Sequence, residues 1–72
     1  MTWSEAVQQM QAGGAVRRPG WGPVSRLQAR AVVVDGSDEP RWIYELHEGP
    51  KVDPWAHVAT SRFIADWEAA QP

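Results

Sequence analysis

Ser25-Arg26-Leu27-Gln28-Ala29-Arg30-Ala31-Val32-Val33-Val34, then Asp35-Gly36-Ser37-Asp38-Glu39-Pro40, then Arg41-Trp42-Ile43-Tyr44-Glu45-Leu46-His47 is the stretch that decides the fold. In its first segment Leu27, Ala29, Ala31 and Val33 fall on one side. Arg26, Gln28 and Arg30 fall on the other, joined toward the end by Val32 and Val34. A two-residue period rich in β-branched side chains is a strand signal. The third segment alternates again, with Trp42, Tyr44 and Leu46 against Arg41, Glu45 and His47, and Ile43 as the exception. The middle segment is a turn cluster, and Asp35-Gly36 is the strongest local hairpin signal in it. Two antiparallel strands joined as a hairpin are the prediction.

Toward the N-terminus, Thr2-Trp3-Ser4-Glu5 reads as a capping box. Trp3, Ala6, Val7 and Met10 follow at helical spacing, and Gly13-Gly14 offers a left-handed stop, so a helix is predicted over residues 3–12. Ala15 to Arg18 is expected to be a short strand. Toward the C-terminus, Glu48-Gly49-Pro50 breaks the second hairpin strand, and Lys51 to Trp55 reads as extended because Pro54 biases Asp53 away from helix. Thr60 or Ser61 is placed to cap a last helix with Phe63, Ile64 and Trp67 on its apolar face, and residues 69–72 are expected to fray. The fold class is α+β: an N-terminal helix, a small antiparallel sheet of three or four strands and a short C-terminal helix, in one domain spanning 1–72.

A chain of 72 residues without cysteine has neither a disulfide framework nor thiolate metal ligands. It hides only about 60% of its unfolded surface on folding. The five tryptophans bear on that shortage, as dense internal packing or as contacts to a partner subunit or ligand. The formal charge of −2 gives no general attraction to nucleic acid or to an anionic membrane. The first half carries Arg17, Arg18, Arg26 and Arg30 against Glu5 alone, whereas the second half is acidic. That asymmetry is either an accident of a short chain or suited to head-to-tail subunit packing or an anionic ligand. No apolar run approaches a membrane span and no targeting signal precedes the helix, so a soluble, cytoplasmic protein is expected.

Catalytic chemistry finds little support. Ser4, Ser25, Ser37 and Ser61 sit in no nucleophile motif. His47 and His57 lie on different segments without a metal spacing and read as surface imidazoles. Asp35, Asp38 and Glu39 read as turn formers, and Asp66 and Glu68 are too close in sequence to share a helix face. No enzyme, metal or cofactor is expected. Binding is the stronger reading, and it centres on Arg17-Arg18-Pro19-Gly20-Trp21-Gly22-Pro23. Guanidinium groups suit phosphate, an indole suits a purine face, and Gly20 and Gly22 between two prolines keep the loop out of helix and strand. Trp3, Trp42 and Trp67 fall on patterned apolar faces and are assigned to the core. Trp21 and Trp55 each follow a chain-stiffening residue in a non-periodic segment, which leaves core and ligand contact both open.

The run Trp3-Ser4-Glu5-Ala6-Val7, with Gly13, Val16, Arg18, Gly20 and Trp21 after it, resembles the opening of the small phage Thoeris anti-defence proteins of the second type. Pro54-Trp55 and Asp66-Trp67 resemble that family's later signatures at matching separation. The two blocks cover about half the chain. Gly22-Pro23-Val24 departs from the family's usual continuation after Gly-Trp, Ser61 stands where another Asp is usual, and residues 24–50 carry no matching motif. The resemblance implies a molecular sponge that binds cyclic ADP-ribose signals of bacterial immune proteins without degrading them, with cyclic dinucleotides bound by some relatives. It also implies a homo-oligomer, dimer or tetramer, with pockets shared between subunits. Carried over by position, Trp21 and Trp55 are the candidate purine-stacking residues. Chemistry adds Arg18 as a phosphate partner, Asp66 as a hydroxyl or amide anchor, and Gly20 and Gly22 as the loop that lets a ligand approach. A small protein-interaction module gripping its partner through exposed tryptophans is the alternative. Single-stranded nucleic-acid binding is disfavoured by the acidic charge.

Overall fold

Helix α1 (Trp3–Gln11) starts where its cap dictates: the Thr2 hydroxyl accepts from the Glu5 amide at 3.3 Å, and the Glu5 carboxylate accepts from the Thr2 amide at 2.9 Å. It stops where Gly13 takes a φ of +96° and the Gly13 and Gly14 amides donate back to Met10 and Gln9, a Schellman ending. In this computed structural model, which describes Met1–Pro72, the order continues β1 (Ala15–Arg17), β2 (Ser25–Val33), β3 (Pro40–Glu48), β4 (Lys51–Pro54), α2 (Val58–Ser61) and β5 (Glu68–Ala70). The five strands form one antiparallel sheet in the order β4-β3-β2-β1-β5. The α+β class and the antiparallel sheet are as expected, with five strands where three or four were predicted.

The β2–β3 register sets Leu27 opposite Leu46, Ala29 opposite Tyr44 and Ala31 opposite Trp42. This is the face that α1 covers, and Ala6, Met10, Val16, Leu27 and Trp67 close over one another as a fully buried cluster. The cover is incomplete. A nine-residue helix is roughly 13 Å long, whereas nine strand residues span roughly 30 Å, so the far half of the hairpin projects beyond α1. Trp42 lies on that projecting half and is only half-buried, outside the central cluster, in contrast to the core position its periodicity predicts. Val33 beyond it is 76% exposed.

The C-terminal segment differs most from expectation. Helix α2 is a single turn over Val58–Ser61 that receives no side-chain cap, and it ends before Phe63, which is 88% exposed. Trp67 is buried without being helical, because its backbone pairs with Met1: the Trp67 amide donates to the Met1 carbonyl at 3.1 Å and the terminal amine donates to the Trp67 carbonyl. Residues 68–70 do not fray. They pair with β1 as Arg17↔Glu68, Val16↔Ala69 and Ala15↔Ala70, and Arg17 Nε meets Glu68 Oε1 at 3.4 Å.

Candidate functional site

Trp21 is presented by two consecutive turns. The Trp21 amide donates to the Arg18 carbonyl at 3.2 Å, with Pro19 and a positive-φ Gly20 (+90°) between them. Pro then Gly at the two central positions is the chemistry of a type II turn. The Ser25 amide then donates to the Gly22 carbonyl at 3.1 Å across Pro23 and Val24. Arg17 Nη2 donates to the Trp21 carbonyl, so the loop is tied from the sheet side as well. Gly20 and Gly22 are both exposed in this loop, with open space where a Cβ would stand.

Trp55 comes from the β4 edge of the sheet, immediately after that strand. Its amide donates to the Tyr44 carbonyl at 2.9 Å, which holds it beside β3. Its indole Nε1 donates to the Ser61 hydroxyl at 2.9 Å, and that fully buried hydroxyl donates in turn to the His57 carbonyl at 2.7 Å. The single turn of α2 therefore works as a bracket for one indole. A side chain fixed this way loses little rotamer entropy when something binds it.

The two indoles meet, with ring centres 5.8 Å apart and planes tilted by 59°. Trp67 lies beneath both, edge-on to Trp21 at 5.9 Å and to Trp55 at 6.4 Å, and Trp3 and Tyr44 extend the aromatic array behind it. Such contacts contribute about 0.5–1.5 kcal/mol per pair beyond area burial. The tilt leaves no parallel slot between Trp21 and Trp55. They form an open corner rather than a slot. Both are half-buried, packed on the core below and open to a cleft above.

That cleft, about 310 Å³, is lined by Trp21, Ser25, Leu46, Glu48, Trp55 and His57. His57 stands edge-on to Trp55 with ring centres 5.1 Å apart. Ser25, His57 and Glu48 share this lining without a hydrogen bond among their side chains. A larger depression of about 480 Å³ lies along α1, lined by Thr2, Trp3, Ser4, Val7, Gln8 and Arg62. It offers one aromatic wall rather than a fixed pair, and the cleft at Trp21 and Trp55 is the better candidate on chemistry.

Arg18 and Asp66 are brought together, but onto each other. Arg18 Nε and Nη2 donate to Asp66 Oδ1 and Oδ2 at 2.9 and 3.1 Å, a two-pronged pair outside the cleft lining. Hydrogen bonding to Arg18 holds the Asp66 carboxyl below its ordinary pKa, and the same bond raises that of Arg18. Sequence reasoning missed Ser25, Glu48 and His57 as cleft residues. The pairing Ser25↔Glu48 was implicit in the hairpin, but it depends on a register that alternation alone does not fix.

The sequence profile of the Thoeris anti-defense 2-like domain matches residues 1–70. The chain belongs to that family. The match spans the middle of the hairpin, where no individual motif was visible, and it includes both indoles, Arg18, Asp66, Gly20 and Gly22. Membership of this phage family gives the chain a role in countering Thoeris defence. No curated protein and no solved structure matches it. No helix is long and apolar enough to cross a membrane.

Proposed function

We propose that the chain is a non-enzymatic sponge that binds and sequesters a cyclic nucleotide immune signal, a cyclic ADP-ribose isomer or a cyclic dinucleotide. The observation that carries this reading is the corner of Trp21 and Trp55, two indoles held by backbone turns and by the buried Ser61 hydroxyl at the wall of an open cleft. Flat apolar faces beside a few polar groups suit a nucleobase, and a stacked base contributes about 1–3 kcal/mol. Membership of the Thoeris anti-defence family supports the biological role.

A cleft of about 310 Å³ stands at the low end of the range for small-molecule sites and accommodates the base end of a cyclic nucleotide better than the whole. The remainder would lie against a second copy, so the functional unit is a homo-oligomer, a dimer or tetramer that completes the pocket. The small core supports this: seven of 72 residues are buried, while Val24, Val33, Val34, Val52, Val58 and Phe63 are exposed. A nanomolar sponge needs about −12 kcal/mol, which a half-open corner on one copy is poorly built to deliver alone.

The test is capture and release. Protein is incubated with a cyclic ADP-ribose isomer, freed of unbound ligand and heated. Recovery of the intact compound supports sequestration, and recovery of a converted product would make the chain an enzyme. The exposed Phe63 keeps one rival reading in play, a module that grips a protein partner. That reading predicts no nucleotide binding by the wild type.

A further inference from the structure

The charged group in the cleft has the wrong sign for a phosphate. Glu48 lines it, and no lysine or arginine does. The nearby cations are engaged elsewhere: Arg18 on both oxygens of Asp66, Arg17 on Glu68 and the Trp21 carbonyl, Arg26 on the Gln28 side chain and the Val24 carbonyl without a carboxylate partner, and Lys51, the register partner of Glu48 in β4, on Asp53 at 3.5 Å. Glu48 itself has no ion-pair partner. A free carboxylate beside two indoles repels a phosphate and accepts from an N–H donor.

We propose that Glu48 is the specificity-determining residue of this cleft, accepting from the exocyclic amino group of a purine stacked in the Trp21–Trp55 corner, with the ligand's phosphates directed out of the cleft. The proposal rests on the sponge reading and adds to it an orientation and a residue that sequence analysis did not single out. Ser25 lies directly across the strand pair from Glu48 and can donate to, or accept from, the ring nitrogen next to the amino group. The pair thus matches an amino-bearing purine edge, carboxylate to N–H and hydroxyl to the adjacent nitrogen, while the indoles take the base faces. Arg18 is then not the phosphate partner within one copy. Its guanidinium stays with Asp66 and stiffens the loop that carries Trp21.

The deciding experiment is a calorimetric titration of wild type, Glu48→Ala and Glu48→Gln with two probes, a cyclic ADP-ribose isomer closed through its two riboses and cyclic di-AMP. Each probe is paired with its counterpart carrying unsubstituted purine in place of adenine. Whichever adenine probe binds is expected to bind Glu48→Ala about tenfold more weakly than wild type, while the amino-free counterpart binds both proteins equally. Glu48→Gln keeps an acceptor oxygen and should fall between them. Tighter binding by Glu48→Ala would mean the carboxylate faces phosphate and would overturn the proposal. So would equal binding of the adenine and amino-free probes by wild type. If wild type binds neither adenine probe this inference falls, while binding of cyclic di-GMP in the same titration would leave the sponge reading standing. Glu48 is exposed at a strand end, so both variants should keep the wild-type melting profile, which circular dichroism checks independently.

Discussion

Ser61 and Asp66 show what single side chains do for this site without lining it. Ser61 is fully buried in a one-turn helix and spends its hydroxyl on holding the Trp55 indole. Ser61→Ala removes that acceptor and leaves an indole N–H without its partner. It should cost about 1 kcal/mol in urea unfolding and weaken ligand binding several-fold, because Trp55 gains freedom that binding must then remove. Asp66 predicts a pH effect whose sign follows from its lowered pKa. The contribution of the Arg18–Asp66 pair is complete above the unfolded-state value and disappears as pH falls through the lower folded-state value. Wild type should therefore lose stability on acidification below the ordinary aspartate range, and Asp66→Asn should show less of that loss. Unfolding curves for both proteins across that range check it. Equal acid sensitivity would remove the pair from the account. The turn that presents Trp21 was legible because Pro19 fixes its own φ and Gly20 accepts the positive φ that a type II turn requires. The engagement of Arg18 with Asp66 was not, since nothing local says that residues 48 positions apart meet.

Secondary elements were legible wherever local chemistry decides them. The capping box and glycine stop bound α1, and the alternation with Asp35-Gly36 gave the hairpin. β5 was hidden for a physical reason. Glu68-Ala69-Ala70 favours helix by composition, and only the unpaired edge of β1 makes it a strand. The same edge explains why the short C-terminal helix stops at Ser61 instead of running on through Trp67: Trp67 reaches the core through Met1 and the sheet rather than through a helical face. Deleting residues 68–72 should strip β1 of its outer partner and of the Arg17–Glu68 contact. We expect a loss of at least about 2 kcal/mol from the backbone pairing, read as a lower urea midpoint. An unchanged midpoint would mean β5 is incidental.

On the scale of the whole molecule, a small sheet is covered on one face by one helix, and a hairpin arm reaches past it, so the chain extends to 41 Å in its longest direction. Val33 and Val34 on that arm lie far from the buried cluster. If copies assemble through such exposed apolar surface, sedimentation should give a multiple of 8.0 kDa, and Val33→Lys with Val34→Lys should lower that mass while leaving the melting profile intact. A monomer at every concentration would contradict the shared pocket. The most direct measurement of the central claim is titration of a cyclic ADP-ribose isomer, and of cyclic di-AMP, into wild type, Trp21→Ala and Trp55→Ala, followed by calorimetry. The account predicts nanomolar binding of at least one ligand to wild type and its loss in both variants. Absence of binding in wild type, or undiminished binding without either indole, would contradict it.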